Sequence, residues 1–424
     1  MDDQLPVTDE SRRFLPALKH RDFRVFYGGL VASSFGNNFT QLAMTWQMYE
    51  MTGSPLQLGL LGLSRAVATM PLLLFGGLLA DAIDRRRLML LMQGGHLCVA
   101  TSLLALSVVG LLSPAVFYVA TVFNAIFGAL ENPARQAIVP NLVPDAELTN
   151  AIALNATQRS VSTIAGPPLA GVFLGFVGPT ANYAVAWLSW VAMLWALLSI
   201  HPSARVVGGR RAMSINSLRE SFSYVWGHPI LLSMMFLDFG ANFLGQARAL
   251  LPVYASDILG GGPQGFGILS GASAVGSAGG GLVMSAISHV RHAGIGALVG
   301  VSLYAVCTIL FAYNTNFWLA WLLLAGEGLG DSISHVFRLT ILQLNVPDQL
   351  RGRVTSVNML FTQSGGPLGS FRAGGMAQWL GPELAVFSGG VAARGVVAAI
   401  GSALPMVRRF VIEDTMAHSR GGAS

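Results

Sequence analysis

Three carboxylates stand where carboxylates are expensive. Asp238, Glu327 and Asp331 each fall well inside long apolar stretches of a 424-residue chain. An acid at such a depth must face a polar cavity or find a partner, and it marks a functional position by default. A carboxyl removed from water also holds its proton more tightly, so each of the three is a candidate to load and release a proton. Glu327 and Asp331 are four apart and share a helix face. Two close acids resist ionising together. The plainer reading of Asp238 is a fixed ion pair with an arginine such as Arg159 or Arg394.

Other polar side chains sit at comparable depth. Asn37, Asn38 and Gln41, and later Asn242 and Gln246, have the donors and acceptors to hold a polar substrate. Amides in such places also glue helices together. Arg65, Arg248 and Arg372 attract an anion on one reading, and pair or snorkel on the other. Glu131 and Arg135, four apart, can pair on one helix face. Arg338 has His335 and Asp331 one and two turns before it, and both groups suit either a structural pairing or a gate. There is no HExxH, GxSxG or GxxxxGK[ST] pattern, so neither enzyme chemistry nor ATP hydrolysis is expected, and no metal or cofactor site.

These residues need a scaffold, and composition names its class. The chain is 53% hydrophobic and 11% charged, whereas about a quarter of a soluble protein is charged. A multi-pass membrane protein is the expected class. The net charge of +5 comes mostly from arginines recurring in short loops, which is a topology signal rather than a nucleic-acid footprint. Cys98 and Cys307 lie in apolar runs and read as buried small residues, with no disulfide framework.

Spans of about 20 apolar residues fall at 25–49, 56–81, 88–111, 115–137, 151–177, 182–200, 230–254, 265–288, 294–313, 317–340, 355–380 and 385–406. Alternate loops carry the arginines, and those near 51–55, 112–114, 178–181, 257–264, 314–316 and 381–383 contain no Lys or Arg. The pattern places both termini in the cytoplasm. The divisions are a tail at 1–22, a six-helix bundle at 23–200, a basic linker at 201–228, a second bundle at 229–407 and a tail at 408–424. The bundles repeat. Gly36-Asn37-Asn38-Phe39 returns as Gly240-Ala241-Asn242-Phe243, and Arg135, Asn155 and Gly178-Pro179 return as Arg338, Asn358 and Gly381-Pro382. A parallel repeat of this kind is the architecture of a rocking transporter, with the substrate path between halves.

Gly77, Asp81, Arg85 and Arg86 resemble the helix 2–3 loop motif of the major facilitator superfamily, Gly-x-x-x-Asp-x-x-Gly-Arg-Lys/Arg, with Asp84 in place of the second Gly. A left-handed turn there would suit Gly better than Asp. Gly166-Pro167-Pro168-Leu169-Ala170-Gly171 is similar to the Gly-Pro-x-x-Gly-Gly element of that superfamily's antiporters. The run Asn132-Pro133-Ala134-Arg135 with Val139-Pro140 resembles the branch containing the enterobactin exporter and the macrolide and multidrug efflux proteins.

The resemblance implies the major facilitator fold, all-α, with twelve transmembrane helices in two pseudo-symmetric six-helix bundles. It implies a monomeric proton antiporter of the inner membrane that exports a drug-like compound or siderophore. Asp81 would latch to the start of the eleventh helix near 354–356, Gly77, Arg85, Arg86, Glu131, Arg135 and Arg338 would belong to the gate, and Gly166, Pro167 and Gly171 would form a packing hinge. The partners are a small molecule, protons and the bilayer. An importer or uniporter of a metabolite or lysolipid, or a receptor that has lost transport, remain the alternatives.

Overall fold

Prolines and glycines punctuate the chain before any packing is considered. Pro55, Pro114, Pro179, Pro229 and Pro382 each open a helix, where a missing N–H costs nothing. Gly53 and Gly110 end helices at φ 57° and 75°, and Gly178 and Gly381 precede their prolines at φ 96° and 86°. Those left-handed turns favour glycine.

The computed structural model describes residues 16–82, 84–200, 222–287 and 292–410. Among them are twelve long helices: α1 (Arg21–Thr52), α2 (Pro55–Ala82), α3 (Arg85–Val109), α4 (Pro114–Ile138), α5 (Leu148–Phe176), α6 (Pro179–Ser199), α7 (Pro229–Leu244), α8 (Gly262–Ala286), α9 (Ala293–Ala312), α10 (Phe317–Asn345), α11 (Asp348–Leu380) and α12 (Pro382–Ala403). Eight segments are long and apolar enough to cross a membrane. The helices outside that set are α1, α5, α10 and α11. They carry Asn37, Gln41, Glu327, Asp331, Arg338 and Arg372, whose polarity lowers the apolar character that the criterion requires.

The seventh span departs from the uninterrupted helix expected over 230–254. It breaks after Leu244, passes through a tight turn at Arg248–Leu250 and ends in a π-helical turn, Tyr254–Ile258. Arg372 holds the break, donating from Nε to the Phe243 carbonyl at 3.1 Å and from Nη2 to that of Leu244. Tyr304 donates to the Gly245 carbonyl at 2.7 Å. Backbone groups freed in an apolar medium need such partners.

Helix contacts repeat. In the N-terminal half α1 packs on α5 and α6, α2 on α4, α3 on α4 and α6, and α5 on α6. In the C-terminal half α7 packs on α11 and α12, α8 on α10, α9 on α10 and α12, and α11 on α12. The halves meet chiefly through α2 with α11 and α5 with α8, which are themselves a symmetric pair.

Buried side chains form three cores. One is shared by both halves and lies at the end whose loops lack Lys and Arg, with Met48, Leu58, Leu61 and Tyr183 meeting Tyr254, Phe266, Phe311 and Ala377. At the arginine-rich end each half has its own core, Phe23, Phe26, Leu88 and Ile138 in one and Leu231, Met235, Phe337 and Ile341 in the other. Outward, Val67, Val108, Phe176, Leu188, Leu282 and Trp318 are all exposed. An apolar exterior of this extent requires lipid around it.

Candidate functional site

The acids of the C-terminal half separate into two environments. Asp238 on α7 is buried, and its Oδ1 lies 2.8 Å from Nη2 of Arg338 on α10. Thr362 Oγ1 on α11 donates to Asp238 at 2.6 Å, and Asn242 Nδ2 donates at 3.1 Å. Arg338 also donates from Nη1 to Ser334 Oγ at 3.0 Å and lies 3.5 Å from Asp331 Oδ1. The partner of Asp238 is therefore Arg338, and neither Arg159 nor Arg394. Arg394 donates to Ser302 Oγ, and Arg159 stands exposed on α5. A small cavity lined by Met234, His335, Leu339 and Asn358 adjoins the pair.

Glu327 has no such counter-ion. It is 1% exposed, and its Oε1 accepts from Thr308 Oγ1 on α9 at 2.7 Å. Its Oε2 is buried without a partner, and no cation lies within ion-pair distance among the described residues. Asp331, one turn on, keeps 35% of its side chain exposed and leans toward Arg338. The shared face expected from the spacing thus splits into one sealed acid and one wet one.

In the N-terminal half Asn38 Nδ2 donates to the Ser34 carbonyl one turn back, as Asn242 does to Asp238. Ser34 therefore occupies the place of Asp238. Arg135, the counterpart of Arg338, donates to Asn132 Oδ1 at 3.1 Å. Glu131 does not take Arg135 as its hydrogen-bonded partner, contrary to the spacing argument. It turns to α3, 3.6 Å from His96 Nε2. That buried imidazole also meets Asn124 Oδ1 at 2.9 Å and stacks on Trp190. The cross-helix ring stack and hydrogen bond outcompete a flexible pairing along one helix. Arg159 lies near enough to Arg135 to repel it.

Packing across the halves is closest at the arginine-poor end. A methyl group on Gly62 would fall 2.6 Å from Ser370 Cβ and 2.8 Å from the Pro367 carbonyl. One on Gly267 would fall 2.6 Å from the Pro167 carbonyl and 2.7 Å from Gly171 Cα. One on Gly166 would meet Asn38 at 2.6 Å. Gly166, Pro167 and Gly171 thus form the surface of α5 that seats α1 and α8, as small residues do between helices in lipid. Tyr49 donates to Asp257, Ser54 to Gln378 at 2.6 Å, and Trp46 stacks on Phe266.

Inward of this seal the polar residues divide. Asn38, Asn242 and Gln246 are tied to Ser162, Asp238 and Gly366. Asn37, Gln41, Arg65 and Arg248 are exposed, and their side chains form no hydrogen bond or ion pair with the described residues. A two-fold helical carrier sealed at one end, with untied polar groups below the seal, now has a family to be compared with. Residues 13–418 match the family described as transmembrane secretion effector, a branch of the major facilitator superfamily. The chain belongs to that family.

It is thus a multi-pass membrane transporter of small molecules and not an enzyme. Relatives include the enterobactin exporter EntS of Salmonella typhi, 26% identical over 382 residues that span 86% of this chain and 87% of that one. Solved structures with the same fold include the nucleoside transporter NupG, at TM-score 0.73 and 13% identity over 90% of this chain and 98% of that one. A bacterial homolog of the human lysosomal transporter Spinster, inward-facing and unoccupied, aligns at TM-score 0.68 and 14% identity over 93% and 96%.

The family's loop between α2 and α3 is described in part. The side chains of Gly77, Asp81 and Arg85 lie outside the described residues, and so does the latch assigned to them. Asp84 has φ −52°, and its carboxylate accepts from the Arg87 N–H at 3.0 Å. It is the N-cap of α3, so no left-handed turn is needed and Asp suits the position better than Gly. Arg86 donates to the Leu197 and Leu198 carbonyls at 3.3 Å. It caps the end of α6. Sequence reasoning missed His96, Thr308 and Thr362, whose roles depend on helix crossings that no local pattern marks.

Proposed function

We propose that the chain is an exporter of the inner membrane that moves an amphipathic small molecule outward in exchange for protons. Two six-helix bundles, 23–200 and 229–407, rock against each other, with twelve spans and both termini in the cytoplasm. The observation that carries this reading is the unequal closure of the two ends. One core and several cross-half hydrogen bonds join the halves at the arginine-poor end, while each half keeps its own core at the arginine-rich end. With arginine-rich loops inside, the cleft is open to the cytoplasm. The likeness to the enterobactin exporter EntS supports export as the direction.

Glu327 is the coupling acid in this reading. Its Oε2 is buried without a partner and it forms no ion pair among the described residues, whereas Asp238 is held as an ion pair with Arg338. Opening of the cleft to the other side would hydrate Glu327 and load it with a proton, which the return to the cytoplasm-open form carries inward. Everted vesicles loaded with a pH-sensitive dye test the coupling. Addition of a substrate should dissipate an imposed proton gradient, and Glu327→Gln should abolish that response while leaving protein level and fold unchanged. A gradient that no substrate in a panel of amphipathic compounds dissipates would exclude antiport of that class.

A further inference from the structure

The cleft ends in two arginines that none of the described residues neutralises by contact. Arg65 continues the stripe of α2 formed by Leu58 and Leu61, both buried in the shared core. It sits one turn inward of Gly62, where α2 touches α11. Its guanidinium lies deep in the protein mass, yet the residue is exposed. A side chain both deep and wet lines an internal open volume. Arg65 forms no ion pair or side-chain hydrogen bond with the described residues.

Arg248 reaches the same level from the other half. It opens the turn that follows the break in α7, and that turn packs on α2, the helix bearing Arg65. Asn37 and Gln41 continue the stripe of α1 below the buried Met44 and Met48, and are likewise untied. Glu327 is the acid whose field reaches Arg248, but it forms no ion pair with it.

We infer that the transported molecule is an anion, an amphiphile with a carboxylate, sulfonate or phosphate that docks on Arg65 and Arg248 beneath the seal. This rests on the transport-cleft reading proposed above. A guanidinium presents a planar fork of donors matched to such groups, and an arginine enclosed without a counter-ion is costly unless a ligand supplies one. Asn37 and Gln41 add neutral donors beside it.

Two dyes of one skeleton test this on the full-length protein in nanodiscs: 8-anilinonaphthalene-1-sulfonate and neutral N-phenyl-1-naphthylamine, with empty nanodiscs as background. The sulfonate should bind about tenfold tighter than the neutral dye. Arg65→Gln should remove that advantage, Arg65→Lys should keep part of it, and the neutral dye should be indifferent to both. Arg248→Gln provides an independent arm if Arg65→Gln does not fold, and should weaken the sulfonate alone. Equal binding of the two dyes, or sulfonate binding unchanged in a folded Arg65→Gln protein, overturns the inference while leaving the cleft reading intact. Binding of neither dye contradicts the amphiphile reading itself, and the inference with it.

Discussion

Ser34 and Asp238 occupy the same place in the two halves, as do Arg135 and Arg338, yet only the second pair is an ion pair. In the C-terminal half Asp238 fixes Arg338 at 2.8 Å, and Thr362 and Asn242 complete the carboxylate's hydrogen bonds across α7, α10 and α11. In the N-terminal half a serine replaces the acid, Arg135 donates to Asn132 with Glu131 and Arg159 both near it, and it forms no ion pair among the described residues. One scaffold thus supports two electrostatic solutions. The C-terminal half pairs Asp238 with Arg338 and keeps one carboxyl, Glu327, apart from that pair. The N-terminal half leaves Arg65 and Arg135 without an ion pair among the described residues.

Breaking the ion pair should have the largest effect. Arg338→Gln leaves Asp238 buried without its cation, and such a loss costs about 3–5 kcal/mol. Arg135→Gln removes a partly buried arginine with one neutral partner and should cost about 1 kcal/mol. Thermal unfolding of the purified proteins compares them, and equal losses would erase the contrast between halves. A smaller effect comes from copying one half into the other. Ser34→Asp should be tolerated when Arg135 is present and poorly tolerated in an Arg135→Gln background. Double-mutant coupling of about 1–3 kcal/mol is expected for groups in contact, and a coupling near zero would show that the equivalent positions do not face each other. The smallest effect is at the seal. Tyr49→Phe removes one cross-half hydrogen bond, worth about 1 kcal/mol, and should bias the protein toward the form open at the arginine-poor end, read as faster labelling of a cysteine placed at Gln41 by a membrane-impermeant reagent added on that side.

The helices were legible because apolar length, Pro at helix starts and Gly at turns are local signals. The repeat was legible because Arg135 and Arg338, or Gly178 and Gly381, survive at one spacing. The break in α7 was not, since Arg372 stabilises it from a helix more than a hundred residues away. Asp238 was recognised as costly, but its partner depends on where α7 crosses α10. Glu131 was assigned to Arg135 by helical spacing, and a stacked imidazole on α3 prevailed. At Asp84 the departure from glycine looked like a strained turn and is an N-cap. In each case the polar atom was correctly singled out, and the missing information was the neighbour that folding brings to it.

The most direct test of the account is a pair of distances between the halves, measured by electron–electron spin resonance with Cys98 and Cys307 replaced by alanine. Spin labels at Ser54 and Gln378 report the sealed end, where the side chains are in hydrogen-bond contact at 2.6 Å. Labels at the exposed Asn132 and Gln343 report the arginine-rich end. Protonation by lower pH, or a bound anionic amphiphile, should change the two distances in opposite directions, one pair approaching as the other separates. Two distances that stay fixed, or that lengthen and shorten together, would contradict alternating access by rocking of the halves.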